Sequence, residues 1–378
     1  MSAPADRPRR PFHDLRQGFA RQEREILDAV RRVLQGGWYV LGEEVAAFER
    51  EFAAYVGAAH GIGVANATDA LELGLRALGV KAGDDVAIPA LTAAPTGMAV
   101  FAAGARPLLV DVDPGTLTMD PAALARAVTP RTRAIVPVHL FGQCADLEPI
   151  LGLASEAGLP VLEDCAQAHG ATLHGRPAGS FGAAAAWSFY PTKNLGAFGD
   201  AGALTTQDGE LAGRLRRLRN YGAIPASGDG SGYDFGEPGR NSRLDELHAA
   251  ILRVRLPRLP QDNESRRRHA RRYLEGIENP RVRLPEERAG AGHAWHQFTV
   301  RCTARDELRA FLAGRGLETL IHYPRALHRM QAFAAAAVPA VPREAERAAA
   351  ELLSLPIHPD LRPDHLEAVV EAVNAFGA

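Results

Sequence analysis

Cysteine is scarce in this chain. Cys144, Cys165 and Cys302 are the only three among 378 residues, and none forms a CxxC pair. Neither a disulfide framework nor a structural zinc site is expected, and a reducing, cytoplasmic setting fits that usage. Long apolar runs are also lacking. No stretch approaches the about 18 continuous apolar residues of a spanning helix, and the opening MSAPADRPRRPFHDL carries three prolines and several charges in place of an apolar export segment. No membrane partner is expected. Excess charge of one sign is missing too: 43 basic and 45 acidic residues leave a formal net charge of -2, so nothing draws the chain to nucleic acid. The remaining partner class is a small molecule. Finally, Gly61-Ile62-Gly63 does not complete a GxGxxG turn, which argues against a Rossmann dehydrogenase.

What is present is a chain that is 46% hydrophobic and long enough for one large core and a second, smaller one. Ile26, Val30, Val33 and Leu34 share a helical face that Gly36-Gly37 ends, and Val45, Phe48, Phe52 and Val56 predict a second amphipathic helix. Between there and Thr206, short apolar runs alternate with helical stretches: Val86 to Ile88, Leu108 to Val112, Ala134 to Val138, Val161 to Leu162, Ala185 to Phe189 and Ala203 to Thr205. That alternation predicts an α/β domain with a largely parallel sheet. A helix from Asp245 to Leu256 leaves it, with Pro257 and Pro260 interrupting. A strand at His296 to Arg301 and helices at Arg305 to Arg315 and Pro363 to Phe376 predict a smaller α+β domain. The expected organisation is an N-terminal arm over residues 1–20, a large domain over 21–256 and a small one over 257–378.

Open parallel sheets gather ligands at the carboxyl ends of their strands and at helix N-termini. Thr68, ahead of the helical run Asp69 to Leu78, can either cap that helix or meet a phosphate. Asp164 ends a strand, Gln167 lies one turn on, Ser188 ends another strand, and Lys193 follows in a loop before the glycine-rich Gly196 to Gly202. Together they supply an amine, a carboxylate, a hydroxyl and a phosphate-ready helix end. Pyridoxal phosphate needs that set: a lysine for its aldehyde, an acid for its ring nitrogen, and amides and hydroxyls for its phosphate. The arginines Arg266, Arg267, Arg268, Arg271 and Arg272 read as a solvated helix face. His322 and His328 lack the spacing of metal ligands.

Longer motifs sharpen this reading. They include GGWYVLGEEVAAFE (36–49), GVANATDAL (63–71), VDVDPGTLTMDP (110–121), PVHLFGQCADLEPI (137–150), EDCAQAHGA (163–171), SFYPTKNLGAFGDAGAL (188–204), LRNYG (218–222), NSRLDELHAAILR (241–253), HYPRALH (322–328) and LSLPIHP (353–359). In that order and spacing, over nearly the whole chain, they resemble the DegT/StrS sugar aminotransferases, which have the fold-type I pyridoxal phosphate architecture. The resemblance implies that Lys193 forms the Schiff base, Asp164 contacts the pyridine nitrogen, Gln167 lies beside the ring, and Thr68, Asp69 and Ser188 lie near the phosphate. It also implies that Asn241 reaches the phosphate of a neighbouring subunit, making a homodimer with shared sites, and that His322, Tyr323 and His328 lie close to substrate. The chain departs from the family at Ala67, His248 and Ala326, and at Ala93, where relatives carry an aromatic that stacks on the cofactor.

The activity so implied moves an amino group from L-glutamate or L-glutamine to a nucleotide-linked keto sugar, with a dTDP-3-keto-6-deoxyhexose foremost, through the pyridoxamine phosphate form. The rivals are a cyclitol (scyllo-inosose type) aminotransferase, a pyridoxamine-dependent sugar dehydratase, whose branch replaces the lysine with histidine, and a non-catalytic cofactor-binding regulatory protein.

Overall fold

The computed structural model describes residues 10–224 and 234–377. Helices α1 (Leu15–Ala20), α2 (Glu23–Gly36) and α3 (Glu43–Val56) lead in. Strands and helices then alternate: β1 (His60–Val64), α4 (Ala67–Ala77), β2 (Asp85–Pro89), α5 (Ala94–Ala102), β3 (Arg106–Val110), α6 (Pro121–Ala127), β4 (Thr132–Ile135), α7 (Leu147–Glu156) and β5 (Leu162–Asp164). A hairpin of β6 (Thr172–Leu173) and β7 (Arg176–Pro177) precedes β8 (Ala184–Ser188), β9 (Gly202–Thr206) and α8 (Gly209–Leu218). The chain continues through α9 (Glu246–Arg255), α10 (Leu259–Gly276), β10 (Ala291–Gly292), β11 (Phe298–Arg301), α11 (Arg305–Ala313), α12 (Arg343–Glu351), β12 (Leu352–Leu355) and α13 (Pro363–Asn374).

Backbone pairing orders the main sheet β3-β2-β4-β5-β8-β9-β1. Ladders join β3-β2-β4 and β5-β8-β9-β1, and parallel bridges from Ile135 to Val161 and from Val138 to Asp164 connect the halves. Among these strands β9 alone runs against the rest. Its short apolar run reads the same in either direction, so the sequence carried no sign of this. Helices cover both faces, which explains why the strands are apolar throughout rather than alternating. Val86 and Ile88 enter one core while Ala87 enters the other, and Ala184 and Ala186 are divided in the same way from Ala185 and Trp187. Strand β1 escaped the sequence reading because two of its five residues are glycine, a poor strand former. Gly61 is required by packing: a Cβ there would lie 2.4 Å from the Glu49 carbonyl oxygen of α3.

A third cluster, including Tyr273, Trp295, Phe298, Leu312, Leu355 and Val369, packs the β11-β12 ladder against α10, α11 and α13. This is the smaller α+β part of the fold. The intervening stretch returns to the main sheet, where Ala326, Leu327, Phe333 and Ala345 join the first core. Pro257 and Pro260 end α9 without ending the helical path. Each sits in the first turn of the next helical segment, where a missing N–H costs nothing. The solvated arginine face of α10 holds for Arg268 and Arg271 but fails at Arg266, which is buried. Its Nη1 donates to the carbonyls of Ile357 (2.9 Å) and Trp295 (3.2 Å), so backbone oxygens replace water around it.

One polar knot ties this scaffold under the site. Glu163 is fully buried and accepts from the amides of Phe181 (2.7 Å), Gly182 (2.7 Å) and Gly179 (2.8 Å). Its fourth donor is His139 Nε2 at 2.9 Å, whose proton is fixed there because Nδ1 accepts from the Ala145 amide. Cys165 lies alongside, within 4.8 Å in ligand-atom terms, but four donors already occupy the carboxylate. Burial pushes the Glu163 carboxyl up, while His139 and the glycine amides pull it down further, so the net shift is downward. Its stabilisation is therefore complete above the unfolded glutamate pKa and is lost as pH falls through the lower folded value. Glu163→Ala leaves four donors without their acceptor, those of His139 and Gly179 buried and those of Phe181 and Gly182 half-buried, and should cost about 3–5 kcal/mol in denaturant unfolding at neutral pH. A loss under about 1 kcal/mol would show that water replaces the carboxylate there.

Candidate active site

The carboxyl ends of the parallel strands meet along one edge of the sheet. Asn66 to Asp69 follow β1, Ala93 follows β2, Phe141 follows β4, and Asp164 and Ser188 close β5 and β8. Gly202, at the start of β9, pairs with both Val64 and Ser188, so the antiparallel strand begins at this same edge. A Cβ on Gly202 would stand 2.5 Å from the Asn66 carbonyl carbon. Only glycine lets the start of α4 settle onto β9 there.

The start of α4 is capped by Asn66, not Thr68: the Asn66 side chain accepts from the Asp69 amide at 2.8 Å, and its carbonyl from Ala70. The amides of Ala67 and Thr68 are left for a ligand, together with the positive end of the helix dipole. Thr68, half-buried, is relieved of capping.

Asp164 is 3% exposed. Its Oδ2 accepts from Thr96 Oγ1 (2.8 Å), which also meets Thr92 Oγ1 (3.1 Å), and its Oδ1 accepts from the Ala166 amide (3.1 Å). Burial raises the carboxyl above its ordinary value, against those donors and the charge of Lys193. Lys193 shows the opposite shift: burial lowers its ammonium to about 8, and Asp164 opposes the fall. Each feels the other's charge, yet they form no ion pair. A buried carboxylate and a half-buried amine thus feel each other's charge without bonding.

Gln167, three residues beyond Asp164, is fixed at both ends, its Oε1 accepting from the Phe141 amide (2.7 Å) and its Nε2 donating to the Tyr323 hydroxyl (2.8 Å). Burial pushes the Tyr323 phenol up to about 12. His322 pairs through Nδ1 with Ser354 (2.9 Å), and burial, then the charge of Lys193, lowers it to about 4. Ser188 is buried at the edge, and Ala93, half-buried, precedes α5. Asn241 is exposed. His328 is engaged elsewhere, 2.6 Å from Glu346 of α12, which also binds Arg329. The residues that sequence reasoning missed are Thr92, Thr96 and Phe141, the last acting through its backbone at φ 60. One signal in the sequence itself was stronger than those used: of 43 Lys and Arg residues only Lys81 and Lys193 are lysine. A guanidinium cannot act as a nucleophilic amine, so only two side chains can supply one, and Lys81 is exposed on the surface.

These residues fit pyridoxal phosphate. The buried carboxylate lacks a cationic partner, the amine is partly neutralised, and two free amides stand on a floor that tolerates no Cβ. Residues 20–374 match the DegT/DnrJ/EryC1/StrS aminotransferase family. The dTDP-3-amino-3,4,6-trideoxy-alpha-D-glucose transaminase of Streptomyces venezuelae is 46% identical, spanning 100% of this chain and 98% of the relative. The dTDP-3-amino-3,6-dideoxy-alpha-D-galactopyranose transaminase of Aneurinibacillus thermoaerophilus is 47% identical over 97% of this chain and 99% of its own. The crystal structure of S. venezuelae DesV in complex with a ketimine intermediate superposes with a TM-score of 0.93 at 45% identity, covering 97% of this chain and 98% of DesV. A further solved relative holds pyridoxamine phosphate.

The shifted amine has a direct consequence. In cofactor-free protein, labelling of Lys193 by an amine reagent should accelerate as pH rises through about 8. Asp164→Asn removes the charge that holds the ammonium up, so it should move that midpoint lower. Peptide mapping separates Lys193 from Lys81 and the terminal amine, and a midpoint at the ordinary lysine value of 10.5 would contradict the burial.

Proposed function

Because the chain belongs to the DegT/DnrJ/EryC1/StrS aminotransferase family, we propose that it moves an amino group from L-glutamate or L-glutamine to a dTDP-linked 3-keto-6-deoxyhexose. It is a pyridoxal phosphate-dependent aminotransferase. The observation that carries the reading is that the Lys193 amine and the buried Asp164 carboxylate feel each other's charge without pairing, in a fold whose α4 also leaves the amides of Ala67 and Thr68 free at the sheet edge. The two curated relatives, each named for a 3-amino dTDP sugar, support the position and the nucleotide.

The cofactor, when bound, supplies an electron sink for the charge that develops on the reacting carbon. Lys193 would hold it covalently, and its amine would carry the proton to and from that carbon. A value of about 8 leaves both forms of the amine accessible near neutrality, as an acid that must also act as a base requires. Asp164 would keep the ring nitrogen protonated, its charge acting strongly because the carboxylate is buried. Thr96 and the Ala166 amide aim that carboxylate, and Gln167, fixed at both ends, borders the ring. The amides of Ala67 and Thr68, with the Thr68 and Ser188 hydroxyls, hold the phosphate, while Asp69 completes the first turn of α4. Tyr323 and His322 offer polar contacts to the sugar. Ala93 cannot stack on the ring as an aromatic would, so the cofactor depends more heavily on its covalent and ionic anchors. Asn241, exposed, is assigned to the phosphate of a neighbouring subunit. The exposed Trp38, Tyr39, Val40 and Leu41 form an apolar surface consistent with that homodimer.

With pyridoxal phosphate, L-glutamate and dTDP-3-keto-6-deoxyhexose, the purified protein should release 2-oxoglutarate and one equivalent of 3-amino sugar, and Lys193→Ala should reduce turnover at least about 1,000-fold. Exclusive amination of a cyclitol ketone across an acceptor panel would sink the sugar assignment. Mixing inactive Lys193→Ala and Asn241→Ala subunits should restore part of the activity, because some sites in the mixed dimer then carry neither defect. A fully active monomer across a dilution series would remove the shared site.

A further inference from the structure

The residue after the reactive lysine is bound more tightly than its place in a loop requires. Asn194 is buried, and its side-chain amide donates to Asn263 Oδ1 (2.8 Å) and to the Ala294 carbonyl (2.9 Å). Its Oδ1 faces His296 Nδ1 at 3.1 Å. The contacts therefore come from α10 and from the stretch leading into β11, both outside the main sheet. Asn263 passes the connection on, its Nδ2 donating to the His169 carbonyl at 2.7 Å. His169 lies five residues beyond Asp164, in the turn that carries Gln167. Space for this bond is made at Gly170, where φ is +80° and a Cβ would stand 2.4 Å from Asn263 Nδ2. The backbone of Lys193 is held separately, its amide donating to the Tyr190 carbonyl (2.8 Å).

The two loops that carry Asp164 and Lys193 are thus joined to each other through two asparagine side chains. Asp164 and Lys193 themselves make no direct bond that would set their separation. A reacting pair misplaced by about 1 Å can lose on the order of 100-fold in rate. We propose that Asn194 and Asn263 are positioning residues, a two-amide strut that holds Lys193 in register with Asp164 and with the turn bearing Gln167. Asparagine suits both positions because each side chain both donates and accepts while buried. The inference rests on the assignment of Lys193 as the residue that binds the cofactor.

The test uses the full-length holoenzyme and its Asn194→Ala, Asn263→Ala and doubly substituted forms. Borohydride reduction and peptide mapping of the wild type come first. A tag away from Lys193 overturns the lysine assignment and this inference with it. With the tag on Lys193, each single variant should lose about 10- to 100-fold in kcat with KM little changed. The pH midpoint of the cofactor's visible absorbance should move by about one unit, because the lysine now sits at a different distance from Asp164. The double variant should be no worse than the poorer single within about twofold, as expected for one device rather than two. Asn263→Ser, which leaves a hydroxyl in the cavity, is held to the same readouts if Asn263→Ala does not fold. Lowered thermal stability with an unchanged absorbance midpoint and kcat would reduce the strut to packing and overturn the inference.

Discussion

Keeping a buried carboxylate and a half-buried amine within reach of each other's charge without letting them neutralise each other is the constraint on which the rest of this structure depends. If Asp164 and Lys193 touched, they would form an ordinary buried ion pair, stable and without reactivity. If they were far apart, burial would discharge both. The fold holds them between those limits. Asp164 is fixed by the Thr96 hydroxyl and the Ala166 amide, and Lys193 by a backbone turn from Tyr190. The opposed shifts of the two groups are the electrostatic sign of that arrangement.

The pleat of β5 separates two adjacent acids into unrelated tasks. Glu163 and Asp164 are neighbours in sequence and both are buried, but successive strand residues point to opposite faces. Glu163 takes four donors and closes the turn before β8, whereas Asp164 takes two and keeps capacity for a further partner. Number of donors, not depth, distinguishes the structural acid from the one set apart for chemistry. Close backbone approach plays a comparable part at Gly202, which has no side chain because the first turn of α4 occupies that space. The result is a helix end whose free amides stand against Gly202, the residue paired with Ser188.

Much of this was legible in the sequence because it depends on local pattern. Apolar runs bounded by helical stretches gave the parallel strands, since burial on both faces removes any need for alternation. Asp164, Gln167, Ser188 and Lys193 could be placed at strand ends because ends are where such sheets admit polar groups, and the long ordered motifs identified the family. The less legible parts share a physical cause. Strand β1 is rich in glycine to accommodate α3, β9 gives no clue to its direction, and Arg266 sits among surface arginines in sequence while facing inward on α10.

The sequence by itself determined the fold class, the chemistry of the amine and carboxylate, and the family, because these follow from residue type, periodicity and motif order. Only the tertiary structure decided that Asn66 rather than Thr68 caps α4, that His328 belongs to Glu346, and that Thr92, Thr96, Asn194 and Asn263 stand around the reacting pair. Hydrogen bonds between residues 68 or 69 positions apart, as between Thr96 and Asp164 or Asn194 and Asn263, leave no periodic trace in a chain. Their partners are selected by how strands and helices pack, and that selection exists only once the chain has folded.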